Sequence, residues 1–146
     1  MYEIILKLHS YWAYLVLLIL IIAVVNALLK VFGDKAYEAK DFRISLFTLI
    51  VSHIQLLIGL LLYFVSPRFE LWGEMGGEVM KNAVARLYLV EHPLVNIIAI
   101  AFITIGYSKH KKKLTSKAKL KPIAIFYTLA LVLFLSRIPW SAWLGN

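Results

Sequence analysis

The chain has 146 residues, of which 62% are hydrophobic and 14% aromatic, and it carries a formal charge of +8 with no cysteine. A soluble domain is closer to half apolar, so the solvent for most of this chain is lipid, and no soluble domain of useful size remains. Disulfides, iron–sulfur clusters and thiol chemistry are excluded. The basic excess reads as a topology signal and not as a nucleic-acid surface.

The first apolar run, about residues 4–29, contains the stretch YWAYLVLLILIIAVVNALL and starts almost at Met1 without a small-residue cleavage site. At that length it is expected to be a retained spanning helix and not a signal-peptide core. The second run, residues 44–65, stops at Ser66-Pro67, where proline cannot continue a helix. The third, about 83–107, follows the Gly76-Gly77 break, with Glu78 suited to a helix's positive N-terminal end. The fourth, 122–144, is expected to open with Pro122 in its first turn. The fold class is therefore all-α: a single transmembrane domain, 1–146, built as a four-helix up-down-up-down bundle with spans one and three on one diagonal.

Basic residues orient the spans. Lys30, Lys35, Lys40 and Arg43 fall between spans one and two, and Lys109, Lys111, Lys112, Lys113, Lys117, Lys119 and Lys121 between three and four. Lysine and arginine are retained on the cytoplasmic side, so both termini are expected outside. Trp12, Trp72, Trp140 and Trp143 all fall near the outer boundary, where amphipathic rings favour the headgroup level. The lysine-rich loop reads as a topology signal, and His110 within it carries no assigned role.

Ionisable side chains inside a span cost roughly 2.5–3.5 kcal/mol on insertion scales and normally mark a site. Four stand out: His9, His53, His92 and Arg137, one in each span. His9 shares a helical face with Ala13, Val16, Leu20, Ala23 and Ala27, and His92 shares one with Ala85, Asn96, Ala99 and Gly106, so both are expected to point inward. Span two is ambiguous, because the small polar series Ser45, Thr48, Ser52, Gln55 and Gly59 lies on a different side from His53. Inward imidazoles among small residues suit axial ligation of haem b, with Arg137 placed for a propionate. The diagonal pair is His9 with His92; His53 with His92 is the alternative. Three histidines support one bis-histidine haem and leave one over, for a proton relay, a quinone or a metal.

The segments LHS in span one, HIQLLIGLLLYFVSP in span two, EHP and ITIGYSK in span three and the ending RIPW resemble a family of short four-helix membrane proteins of Bacteroidota that carry the label cytochrome b. The resemblance spans essentially the whole chain. It implies a multi-pass protein of the bacterial inner membrane that holds haem and passes electrons between a quinol pool or respiratory membrane partner and an outer-side acceptor. Two other expectations stand beside it: a copper, zinc or proton site formed by His9, His53, His92 and Glu91, and a cofactor-free accessory or scaffold subunit. Only lipid is a necessary partner, and no nucleic acid is expected. No HExxH, GxSxG or GxxxxGK[ST] motif points to another enzyme class.

Overall fold

A computed structural model describes residues 1–144, and among them every regular element is helical. Helix α1 covers Tyr2–Phe32 and α2 covers Ala39–Val65. A short outer segment follows, made of a 3-10 turn at Pro67–Glu70, α3 at Leu71–Met75 and a second 3-10 turn at Gly76–Lys81. The third span runs over Ala83–Lys112 as α4 (Ala83–Arg86), one π turn (Leu87–Glu91) and α5 (His92–Lys112). Helix α6 covers Ser116–Ser136, and α7 covers Trp140–Leu144. Four of these segments are long and apolar enough to cross a membrane, which makes the chain a multi-pass membrane protein.

Local chemistry sets the boundaries. Helix α1 closes at Gly33, where an added Cβ would lie 2.8 Å from the Leu29 carbonyl oxygen, too close for any other residue. Helix α2 opens with the Asp41 carboxylate accepting the Glu38 N–H at 2.7 Å, and α4 opens with Asn82 Oδ1 accepting from Val84 and Ala85. The third and fourth spans differ from the lengths expected of hydropathy alone. Helix α5 continues to Lys112, and α6 starts at Ser116, capped by Thr115, so Pro122 sits inside the helix and not in its first turn. Lysine stems are long enough to carry their charge clear of the membrane, which lets helices extend past the apolar run. The fourth span ends earlier than residue 144: Ser136 is its last helical residue, because Pro139 cannot continue it, and Trp140–Leu144 forms a separate turn.

Helix α1 packs against α2 and α6, and α5 against α6 and α2, which leaves α1 and α5 facing one another across the centre. The seam is lined by Ala23, Ala27, Ala99 and Ala130 around Leu20, Ile103 and Tyr127. Lipid tails are as apolar as leucine, so these helices associate through close packing and internal polar bonds, which small residues permit. Gly106 is the tightest point: a Cβ there would lie 2.7 Å from Phe126 Cβ and 3.2 Å from the Pro122 carbonyl. Leu18, Val25, Leu57, Leu61, Phe64 and Val132 remain exposed on the outside, an apolar surface that lipid can cover.

Candidate functional site

A cavity of about 950 Å³ opens at the end of the bundle that carries Tyr2, Ser66 and Pro139. Its walls include His9 and Val16 of α1, Gln55 and Gly59 of α2, His92, Asn96 and Ile100 of the third span, and Phe134 of α6. Into it α1 and α5 bring two imidazoles with ring centroids 6.1 Å apart and planes at 81°.

Each ring is held by its neighbours. The His92 Nδ1 lies 2.9 Å from the Arg137 carbonyl, and a carbonyl can only accept, so Nδ1 carries the proton and Nε2 the lone pair. The Asn96 amide lies 3.0 Å from that same nitrogen. On α1, the His9 backbone carbonyl accepts from Gln55 Nε2 at 2.9 Å. The His9 ring lies against Gly59, where a Cβ would come within 3.2 Å of Cε1. His9 Nδ1 is buried without a hydrogen-bond partner among the described residues, and Nε2 of both rings makes no hydrogen bond among them.

The register that delivers His92 depends on proline. Pro93 has no N–H, so the Leu89 carbonyl four residues back loses its helical donor. The Tyr63 hydroxyl donates to that carbonyl at 2.9 Å, and Trp72 Nε1 donates in turn to the Tyr63 oxygen at 2.9 Å. The π turn lies over these residues and ends directly before His92, a placement common at functional sites. Pro139 is treated alike: the Leu135 carbonyl, deprived of its donor, accepts from Trp140 Nε1 at 3.0 Å.

The four residues singled out by sequence are therefore not gathered at one point. His9 and His92 meet. Arg137 reaches the site through its backbone; its guanidinium lies 3.4 Å from Glu91, which also holds Arg86 at 2.6 Å. The cations on the cavity wall are Lys7 and Arg68, the latter 3.7 Å over the Tyr88 ring. His53 faces outward in a shallow groove with Leu49, Ile54 and Thr104, its Nδ1 donating to the Leu49 carbonyl at 2.8 Å. The inward side of α2 is instead the small polar series, with Ser45, Thr48 and Ser52 buried.

A second polar cluster occupies the other end. The Lys30 ammonium, almost buried, bonds Asp41 at 2.6 Å, Glu38 at 2.8 Å and the Ala36 carbonyl at 3.1 Å, while Asn26 Nδ2 donates to Asp41 Oδ1 at 2.6 Å. Fully buried His110 donates Nδ1–H to the Tyr107 carbonyl at 2.6 Å and accepts from the Tyr37 hydroxyl at 2.9 Å. Burial raises the Tyr37 phenol above its ordinary value, which keeps it a proton donor. Sequence reasoning passed over His110 as part of a lysine run. The available signal was its spacing, since 99, 103, 106 and 110 continue one buried stripe.

The residues present fit a haem. His9 and His92, with rings 6.1 Å apart, no hydrogen bond on either Nε2 among the described residues and a side-chain-free wall at Gly59, are the residues that would hold it. Among the described residues no three His, Asp or Glu side chains group closely enough to hold a bare ion. No protein-family model, curated protein or solved structure matches the chain.

Proposed function

We propose that this chain is a b-type haem protein of the bacterial inner membrane that carries electrons between a quinol pool, or another membrane partner, and an acceptor on the outer side. The observation that carries the reading is the pair of unengaged Nε2 atoms of His9 and His92 on one cavity, with ring centroids 6.1 Å apart. In this reading the bundle runs up-down-up-down with both termini outside, because Lys109, Lys111, Lys112, Lys113, Lys117, Lys119 and Lys121 lie at the end opposite the cavity.

Haem b, when bound, supplies a one-electron couple whose potential follows its ligands, their hydrogen bonds and burial. The chain's residues do the rest. His9 and His92 serve as ligands. The Arg137 carbonyl accepts from His92 Nδ1–H and fixes the orientation of the ring, as outer partners of ligating histidines do. Lys7 and Arg68, on the cavity wall, would compensate the charge of haem propionates. Val16, Ile100 and Phe134 exclude water from the floor.

The test is haem content. Protein expressed with haem available and purified in detergent is expected to carry one haem per chain, lost in His9→Ala and in His92→Ala and kept in His53→Ala. Retention in both of the first two variants, or loss in His53→Ala alone, overturns the ligand assignment.

A further inference from the structure

Beyond Glu91 the chain has no acidic residue, yet it places lysines at 109, 111, 112, 113, 117, 119 and 121. The structure turns that stretch from a loop into the tip of a rigid hairpin, because α5 runs on to Lys112 and α6 starts at Ser116. Tyr37 pins the tip from the connection between α1 and α2: its N–H donates to Ser116 Oγ at 2.9 Å, and its hydroxyl donates to His110 Nε2 at 2.9 Å. The lysines therefore have fixed directions. Lys111 lies over the Tyr107 ring and Lys119 over the Tyr37 ring. Lys109 and Lys112 instead continue the outer stripe of α5, Ile98, Ala101 and Ile105, at steps of three and four residues. Lys121 and Lys117 continue the outer stripe of α6, Val132, Leu129 and Ile125, in the same way. Every residue of both stripes is exposed. At 1.5 Å per residue Lys109 lies roughly 6 Å past Ile105, and Lys121 roughly 6 Å short of Ile125, a distance from which a lysine reaches lipid headgroups. None of Lys109, Lys112, Lys117 and Lys121 forms an ion pair among the described residues. Lys117 also stands in the first turn of α6, which holds no acid, so its charge opposes the helix dipole.

We propose that the hairpin tip is a binding surface for the headgroup of an anionic phospholipid, held by Lys109 and Lys112 on α5 and by Lys117 and Lys121 on α6. Acyl chains lie along the apolar part of either stripe, and the phosphate then meets the lysines that end it. The order of chemistry along each helix selects a lipid over an acidic protein or a nucleic acid: apolar residues pass directly into cations on one face, as tails pass into phosphate in a phospholipid. A phosphate there offsets lysine charges that the chain leaves uncompensated and complements the positive end of α6. A choline headgroup brings its own cation beside the phosphate and gains less. The inference rests neither on haem nor on the direction in which the chain is inserted.

The test is the fraction of spin-labelled lipid held at the protein surface in phosphatidylcholine vesicles that contain the full chain. It is read by electron spin resonance, with labelled phosphatidylglycerol in one sample and labelled phosphatidylcholine in another. Wild type is expected to favour phosphatidylglycerol about fivefold, the equivalent of one lysine contact at an anionic surface, and to lose that preference in about 1 M salt. Lys109→Gln with Lys121→Gln is expected to remove at least half of the preference. Lys111→Gln with Lys119→Gln takes an equal charge from the same hairpin but from side chains that lie over aromatic rings, and is expected to leave the preference in place. Equal retention of the two lipids by wild type, or equal losses in the two double variants, overturns the proposal.

Discussion

His92 donates its Nδ1 proton to the backbone carbonyl of Arg137 at 2.9 Å, so the end of α6 and the start of α5 fix one imidazole between them. That bond decides the tautomer: the lone pair lies on Nε2. It also satisfies a carbonyl that the end of α6 leaves without a helical donor. Arg137 thus contributes through its main chain, and its guanidinium is spent on Glu91.

The Lys30–Asp41 pair is expected to be a large single contributor to stability. Asp41 is 2% exposed and also accepts from Asn26 and the Glu38 N–H, so Asp41→Ala leaves a nearly buried ammonium with the exposed Glu38 as its one charged partner. The expected loss is about 3–5 kcal/mol, and the double change Lys30→Met with Asp41→Leu should recover most of it. Thermal unfolding in detergent checks both; equal melting of the single and double variants would contradict this.

Glu38 sits at the rim of the same cluster. The hydrogen bond and charge of Lys30 hold its carboxyl below the usual carboxylate range. A folded pKa depressed below the unfolded one contributes stability above the unfolded pKa, and that contribution is lost as pH falls through the folded value. Wild type should therefore melt above Glu38→Gln at neutral pH, with the gap closing only below the ordinary carboxylate range. Melting curves over a pH series provide the check.

Tyr63→Phe removes the hydroxyl that covers the Leu89 carbonyl and accepts from Trp72. With Pro93 unable to supply an N–H, the carbonyl is left bare, and a cost of about 1–3 kcal/mol is expected. The outer segment should loosen with it, read as a shift of tryptophan emission that Trp72→Phe abolishes.

Gly106→Ala places a methyl group 2.7 Å from Phe126 Cβ. Neither that atom nor the Pro122 carbonyl is the end of a flexible chain, so α5 and α6 must separate, at about 1–3 kcal/mol. A melting temperature equal to wild type would show that the helices are less tightly held than this contact implies.

Hydropathy made the four long helices legible, and helical periodicity placed His9 and His92 inward, because both stand among small residues that repeat at three and four positions. It left α2 undecided. His53 and the series Ser45, Thr48, Ser52 occupy different faces of an apolar helix, and only packing against α1 and α6 chooses between them. The α6 boundaries were missed because lysines and prolines stop an apolar run without stopping a helix: Pro122 is accommodated beside Gly106, and Lys117 to Lys121 form the first turns. Long-range partnerships such as Tyr37 with His110, or Tyr63 with Leu89, have no local signature.

Haem held by His9 and His92 between α1 and α5 would show in the dithionite-reduced minus oxidised visible spectrum of the purified chain. Sharp Soret and alpha bands are expected in wild type and in His53→Ala, and not in His9→Ala or His92→Ala. A wild-type chain purified from haem-supplied membranes without those bands would contradict it.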